Sequence, residues 1–297
     1  MPKVGLVTVL FNSDELLGGF FKSLSLQTFK DYHLYLIDNS ASDKTDNRLM
    51  QLISEYPVPA FSHLKSDGNI GIAKGNNIGI NASLNIGCEY VLLLNNDIEF
   101  EQTNLLQSML ELADERKELF LTPKIYFYDT KKIWMAGGFF VWWKAMGYHI
   151  GEGEVDSPKF DNDIYSDFVP ACFLLVKNTV FKTIGLLDEN YFVYFEDTDF
   201  LYRASKEEYK IYYCPSLQIL HKVSSSTGGN DSEFSIYYGN RNRIYFIRKH
   251  YGIFKKIIPL AFVLATRVIK YIRYNKSQRK QLFKAIKDGF AMKINDV

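Results

Sequence analysis

The chain has 297 residues, 47% hydrophobic and 15% aromatic, enough for one large packed domain or a domain with an appendage. Cys88, Cys172 and Cys214 include no C-x-x-C pair, which argues against a disulfide framework or structural zinc site and fits a reducing cytoplasm. The net charge of +1 conceals an asymmetry: residues 241–297 hold 15 Lys or Arg against Asp288 and Asp296, a local +13, leaving −12 on the first 240.

Met1-Pro2-Lys3 leads straight into a strand pattern without a signal-peptide core, and no apolar run is long enough to predict a transmembrane helix. Residues 4–11 read as a buried strand, and Asn12-Ser13 is placed to cap a helix over about 14–27. A strand from Tyr32 to Ile37 stops at Asp38-Asn39-Ser40. A helix over 44–56 and a short strand at 60–64 lead to Ser66-Asp67-Gly68-Asn69. The helix over 72–87 carries Gly71, Gly75 and Gly79 on one face. The apolar run from Tyr90 to Leu94 then ends abruptly in Asn95-Asn96-Asp97. This alternation predicts a largely parallel, twisted sheet covered on both faces.

The pattern is more mixed beyond Asp97. A helix near 103–116 precedes short strands and turns through Gly137-Gly138 and Gly147. A strand at 168–176, a small helix and Gly185-Leu186-Leu187-Asp188-Glu189 come next. Phe195-Glu196-Asp197 opens a helix to about 207, strand-like pieces run to His221, and Ser224 to Asn230 reads as a flexible loop. The remainder is helical in pattern.

Three polar clusters end strands of the first half: Asn12, Asp38-Asn39-Ser40 and Asn95-Asn96-Asp97. In a parallel sheet they converge on one rim, where α/β proteins bind ligands. Asp97 is suited to hold a hard divalent cation on a phosphate, and Asp38 to accept from a base or ribose. An ordinary turn or helix cap explains each cluster taken singly. Gly68 to Gly79 is glycine-rich but is neither a Walker A loop nor G-x-G-x-x-G, which argues against a dinucleotide oxidoreductase. Gly75 and Gly79 suit helix–sheet packing; Asn69 and Gly71 suit a loop beside a ligand. Glu196, Asp197 and Asp199 open a helix, where acids also favour the macrodipole; three together suit a site needing a general base. His221, at a strand end, is either a structural histidine or a metal ligand.

In order along the chain, these segments resemble the family 2 glycosyltransferases of GT-A fold, particularly the bacterial rhamnosyltransferase-like branch. The resemblance covers about residues 3–250. It rests on Val7-Thr8-Val9-Leu10-Phe11-Asn12, Asp38 to Asp43, Asn69 to Asn76, Leu94 to Asp97, Gly137-Gly138, Gly185 to Glu189, Glu196 to Asp199 with Arg203, and His221. It implies an α/β GT-A domain over residues 1–250. It also implies inverting transfer of a sugar from a nucleotide diphosphate, dTDP-rhamnose or a UDP-sugar, to a hydroxyl of a glycan or lipid-linked saccharide in surface polysaccharide synthesis. By the same resemblance Thr8, Asn12, Asp38, Asn69, Gly71, Asn95 and Asn96 bind the nucleotide. Asp97 and His221 hold Mg²⁺ or Mn²⁺, Asp197 is the base, and Glu196, Asp199 and Arg203 orient the acceptor. The family's D-x-D element is here Asn95-Asn96-Asp97. Only one position can be anionic, which lowers the expected metal affinity and leaves strict metal dependence open. A non-catalytic binding or assembly subunit of the same fold is the alternative.

Residues 251–297 read as a basic helical extension. From Ile253 to Tyr274 a helical wheel gathers Lys255, Lys256, Arg267, Lys270 and Arg273 on one arc, with aliphatic residues over most of the rest. Pro259 places the expected helix start after it. Such a helix lies in an anionic membrane interface, or packs on a core with a solvated face. The first reading makes the protein peripheral on the inner face of the cell membrane. No nucleic-acid-binding motif accompanies the charge.

Overall fold

Val4–Leu10 is apolar at nearly every position, and such a run belongs in a sheet covered on both faces. It forms β1, with its side chains buried almost throughout. The computed structural model describes residues 1–41, 44–223 and 231–294. Ser42, Asp43 and the expected loop from Ser224 to Asn230 lie outside the described residues.

After β1 come α1 (Leu17–Ser25), β2 (Tyr32–Asp38), α2 (Lys44–Glu55), β3 (Phe61–Lys65), α3 (Ile72–Asn85) and β4 (Tyr90–Leu94). The strands pair in parallel in the order β3-β2-β1-β4. The chain moves outward from β1 to β3 and then returns to the other side of β1. The loops leaving β1 and β4 therefore diverge and open a crevice at the carboxyl edge. The expected side-chain cap of α1 does not form. Ser13 instead accepts from the Phe11 amide at 3.0 Å and from Asn96 Nδ2 at 2.7 Å, tying the β1 and β4 ends together.

The second half adds β5 (Ile98–Glu99), α4 (Leu105–Arg116), β6 (Phe120–Phe127), β7 (Ile133–Met135), β8 (Gly138–Val141) and β9 (Met146–His149). It continues with β10 (Ile164–Ser166), β11 (Phe173–Lys177), α5 (Asn178–Ile184), α6 (Glu196–Lys206) and β12 (Ile211–His221). The strand expected from residue 168 begins only at Phe173, after Pro170, which has no amide to give a ladder. β11 runs antiparallel between β4 and β6, and β12 lies parallel to β6. β4, β6 and β12 consequently point the same way as β1 and β2, and their carboxyl ends share one rim. β8 and β9 form a separate hairpin.

A helical layer closes the chain: α7 (Glu233–His250), α8 (Ile257–Arg273) and α9 (Lys276–Ala291). α7 buries Ile244, Tyr245, Phe246 and Ile247. α9 starts with a capping box between Asn275 and Gln278 and packs back on α7, where Arg248 donates to the Gly289 and Met292 carbonyls, each at 2.9 Å. α8 begins at Ile257, before Pro259. A proline fits there because first-turn amides have no acceptor within the helix. The arc of cations expected to face outward is partly turned inward. Arg267 turns in to donate to Asn240 of α7, whereas Lys270, 3.5 Å from Asp231, stays exposed, and a broad aliphatic side of α8 is left uncovered.

The packing glycines behave as their spacing predicts. A Cβ on Gly79 would lie 2.4 Å from Val7 Cγ1, and one on Gly75 2.8 Å from Val9 Cγ2, so α3 sits directly on β1. Gly239, inside α7, has nothing within 4 Å of its Cβ position. Gly79→Ala should therefore destabilise the fold by about 1–3 kcal/mol through overpacking. Gly239→Ala should stabilise it by about 0.5–1 kcal/mol, because alanine loses less backbone freedom in a helix. Urea unfolding of the two variants should move the midpoint in opposite directions; a shift of the same sign in both would contradict the packing.

Candidate active site

A cleft of ≈ 1040 Å³ opens at the shared carboxyl rim, lined by the ends of β1, β2, β4, β6 and β12 and by the start of α6. The sequence placed Asn69, Gly71, Asn95, Asn96, Asp97, Glu196 and His221 at a ligand site, and all seven line this cleft. Thr8, Asn12, Asp38, Asp197, Asp199 and Arg203 do not line it.

Along the ends of β1 and β2 the rim is built by cross-links between loops. The Asn12 amide donates to Ser40 Oγ at 2.9 Å, with Asn12 in the left-handed region at φ 48°. Asp38 is fully buried and accepts from the Ser40 amide at 2.8 Å. Its neighbour Asn39 reaches the cleft and donates to the Gly71 carbonyl at 3.1 Å. Asn69 Oδ1 accepts from the Gly71 amide at 3.1 Å. Gly71 has φ +86°, and a Cβ there would meet the Phe192 carbonyl oxygen at 2.5 Å, so no side chain fits. Thr8 is buried under this floor, and its hydroxyl has no partner among the described residues.

At the β4 end, Asp97 Oδ1 lies 3.1 Å from His221 Nε2 at the end of β12. Burial opposes a charge on His221, but the Cys172 sulfur and the Asp97 carboxylate outweigh it and raise the imidazole to about 10. Burial holds the Cys172 thiol itself in the neutral form, so Asp97 is the partner that counts at pH 7. Trp134 stands edge-on to His221 at 4.5 Å and to His149 at 4.8 Å. Burial lowers His149 to about 4, so one imidazole beside the indole is charged and the other neutral. Nothing in the sequence marked Trp134 or His149: each sits in a short strand whose partner is set by the sheet, not by local pattern. A second carboxylate–imidazole group, Asp38, Asp46 and His63, brings its ligand atoms within 4.8 Å, but Lys65 already lies 2.7 Å from Asp46.

The opposite wall carries the acidic cluster. Tyr194 and Phe195, at φ 65° and 73°, turn the chain sharply before α6. Consecutive left-handed residues with side chains are strained and persist only where the surroundings fix them. Here Asn242 of α7, wholly buried, donates to the Val193 and Tyr194 carbonyls at 2.7 and 2.8 Å. Glu196 faces the cleft, and its Oε2 has no hydrogen-bond partner among the described residues. Burial and the neighbouring Asp197 charge raise Glu196 to about 8, so it is protonated at pH 7. Burial also raises Asp197, against hydrogen bonds from the amides of Thr198 at 2.6 Å and Ala171 at 3.4 Å.

Asp199 and Arg203 lie behind this wall. Burial alone would raise Asp199, but the hydrogen bond to His250 at 2.6 Å and the charges of Lys249 and Arg203 hold it well below the usual carboxylate range. Arg203 Nε donates to Asp199 at 2.8 Å, and its other nitrogens donate to the Ile184 and Leu186 carbonyls. The pair fastens α6 to the loop after α5.

The profile described as Glycosyl transferase family 2 matches residues 6–169. The low-salt glycan biosynthesis hexosyltransferase of Haloferax volcanii is 24% identical over 248 residues, 82% of this chain and 75% of that protein. The rhamnosyltransferase WbbL of Escherichia coli is 26% identical over 195 residues, 60% of this chain and 70% of that protein. Among solved structures, a mannosyltransferase from Pyrobaculum calidifontis in complex with GDP-Man and Mn²⁺ superposes with a TM-score of 0.59. That match is at 12% identity and covers 98% of this chain and 86% of that one. The fold is therefore of GT-A type, and the chain belongs to glycosyl transferase family 2 and is a glycosyltransferase.

Proposed function

We propose that the protein is an inverting glycosyltransferase whose Asp197 takes the proton of the acceptor hydroxyl. The Glu196–Asp197 pair carries this reading: Glu196 lines the cleft and is protonated at pH 7, and the adjacent Asp197, buried and off the cleft surface, accepts from the Thr198 and Ala171 amides. Glu196 keeps its proton and donates a hydrogen bond that orients the acceptor. Asp197, supported by two backbone amides, is the anion of the pair. A base so placed assists attack on the anomeric carbon from the face opposite the leaving diphosphate. Asp199 and Arg203 act on the acceptor only through the position they give α6.

The donor is a nucleotide-diphosphate sugar, dTDP-rhamnose or a UDP-sugar, lying along the Asn39, Asn69, Gly71 and Asn95 side of the cleft. Asp38 and Asn12 shape that side from beneath, and Thr8 supports its floor. Asp97 offers an oxygen at the cleft, and His221 Nε2 beside it becomes a nitrogen donor once an ion displaces its proton, a set that fits Mg²⁺ or Mn²⁺. Bound there, the ion would neutralise charge on the diphosphate. The acceptor is a glycan or lipid-linked saccharide of a bacterial surface polysaccharide. The basic segment 251–297, appended to the GT-A domain of residues 1–250, holds the enzyme on the inner face of the cell membrane; no helix among the described residues is long and apolar enough to cross it.

Asp197→Asn should lower turnover by roughly 10²-fold or more, the scale of a lost general base, with donor binding nearly unchanged. Glu196→Gln imitates the protonated acid and should keep most of the activity. Glu196 is a donor below about pH 8 and ionises above it, so wild-type turnover should fall as pH rises through about 8. That limb should be missing in Glu196→Gln. Turnover–pH profiles of the two variants decide the roles: a dead Glu196→Gln beside an active Asp197→Asn would reverse them.

For the metal, calorimetric titration of UDP or dTDP with and without Mn²⁺ is the direct measurement. Asp97→Ala should weaken nucleotide binding chiefly when Mn²⁺ is present, because its part is played through the ion. Asp46→Ala should leave the Mn²⁺ response intact. Identical binding before and after EDTA would remove Asp97 and His221 from the role of ligands, and a response lost only in Asp46→Ala would move the ion to the group around His63.

A further inference from the structure

α8 leaves a long aliphatic side uncovered. Of its residues only Pro259 and Val263 are buried. Ile257, Ile258, Leu264, Val268, Ile269 and Ile272 are between 37% and 71% exposed. At about 100° per residue these six fall within one arc of roughly 140°. Ile253 and Phe254, just before the helix, are more exposed still.

The β8–β9 hairpin adds aromatic surface beside it. Its turn carries Trp142 and Trp143, 44% and 39% exposed. Trp143 packs edge-on against Phe262 of α8, with ring centroids 4.9 Å apart. Arg243 of α7 donates to the Lys144 carbonyl at 2.9 Å, and Ala145 is buried among Tyr245, Phe246 and Val263. The turn is thus fastened to the helical layer. Indole, with an apolar body and a polar N–H, is the side chain best suited to the headgroup level of a bilayer.

An exposed apolar surface of this extent calls for an occupant. A second copy of the chain would set the exposed cations Lys255, Arg273, Lys276, Lys280, Lys284 and Lys287 against their own copies, and like charges repel. An anionic bilayer attracts the same charge, about 1 kcal/mol for each basic side chain near its surface. Resting on the membrane reading above, we infer that the β8–β9 turn and the aliphatic side of α8 form one docking surface for an anionic lipid interface, with Trp142 and Trp143 at headgroup depth. The GT-A domain itself, and not the tail alone, then touches the membrane. His149, at the far end of β9, lines the cleft, so the docked hairpin sets the height of the active site above the lipid.

Vesicles of phosphatidylcholine and phosphatidylglycerol, with and without brominated acyl chains, test this. Brominated lipid should quench tryptophan emission of the unaltered protein, buried Trp134 supplying the unquenched remainder. Trp142→Ser/Trp143→Ser should partition onto the vesicles about tenfold more weakly or worse, since interfacial binding scales with the apolar area inserted. Quenching needs no variant, so misfolding of the double mutant cannot obscure the result. If wild-type protein fails to co-sediment at low salt, the membrane reading and this inference fall together. If it co-sediments without quenching and the double variant binds equally well, the tail reading stands and the hairpin's part is overturned. A dimer in sedimentation equilibrium, with no vesicle binding, would give the surface to a second copy and overturn it as well.

Discussion

The site depends on one amide. Asn242 spends both of its side-chain protons on the carbonyls of Val193 and Tyr194, and so holds two left-handed residues that intrinsic preference disfavours. Such strain is of order 1–3 kcal/mol per residue, comparable to what buried hydrogen bonds return. Without that turn, α6 would not begin with Glu196 at the cleft wall. The clamp is reinforced nearby: Arg241 donates to the Asn190 carbonyl at 2.9 Å, and the Tyr194 hydroxyl lies 3.0 Å from Ser235 Oγ. All of these partners come from α7, well beyond residue 169, where the family profile ends.

α7 holds α6 at its far end too, by a different force. Lys249 lies 2.7 Å from Asp188 and 2.9 Å from Asp199, and all three are nearly inaccessible to solvent. Buried charges are tolerable only when paired, so removing the lysine would leave two carboxylates without their shared cation. The helix is thereby fixed at two points, a neutral amide clamp and an ionic knot, which is how a rigid platform for a reacting group is built. Within one turn of α6 the same chemistry serves opposite ends. Asp199, surrounded by cations, is locked as an anion; Glu196, whose Oε2 has no hydrogen-bond partner among the described residues, keeps its proton.

Local pattern carried the parallel half of the fold, because β1, β2 and β4 are largely apolar runs and each leads into amides or acids that mark the strand end. Gly75 and Gly79 were readable as packing positions from spacing alone. The antiparallel insertion of β11 between β4 and β6 was not readable, since pairing partners more than fifty residues apart leave no local trace. Helix starts were misjudged where backbone and tertiary contacts do the work of a cap: Ser13 serves Asn96 and not α1, and Pro259 sits inside the first turn of α8. For the site, the polar strand ends announced the rim, yet the sequence could not tell a rim residue from one beneath it. Asp38 and Asn39 are adjacent and equally polar; only Asn39 reaches the cleft. Asn242 was invisible, as one amide in a helix gives no sign that two distant carbonyls depend on it.

The division of charge along the chain acquires a spatial meaning from the hairpin. A β-strand advances about 3.3 Å per residue, so β9 carries the chain roughly 10 Å from the exposed turn to the cleft wall. At one end, Trp143 lies against Phe262 of α8; at the other, His149 faces Trp134, which also stands edge-on to His221. The acidic body thus holds the cleft residues His149 and Trp134 about one strand length from the aliphatic surface. On the proposed docking, a rigid spacer of that length would suit an acceptor whose lipid stays in the bilayer while its sugar hydroxyl enters the cleft, because a fixed height converts two-dimensional encounter into a defined approach. A loop of the same reach would leave the height undefined; two hydrogen-bonded strands pinned by Arg243 and Ala145 do not.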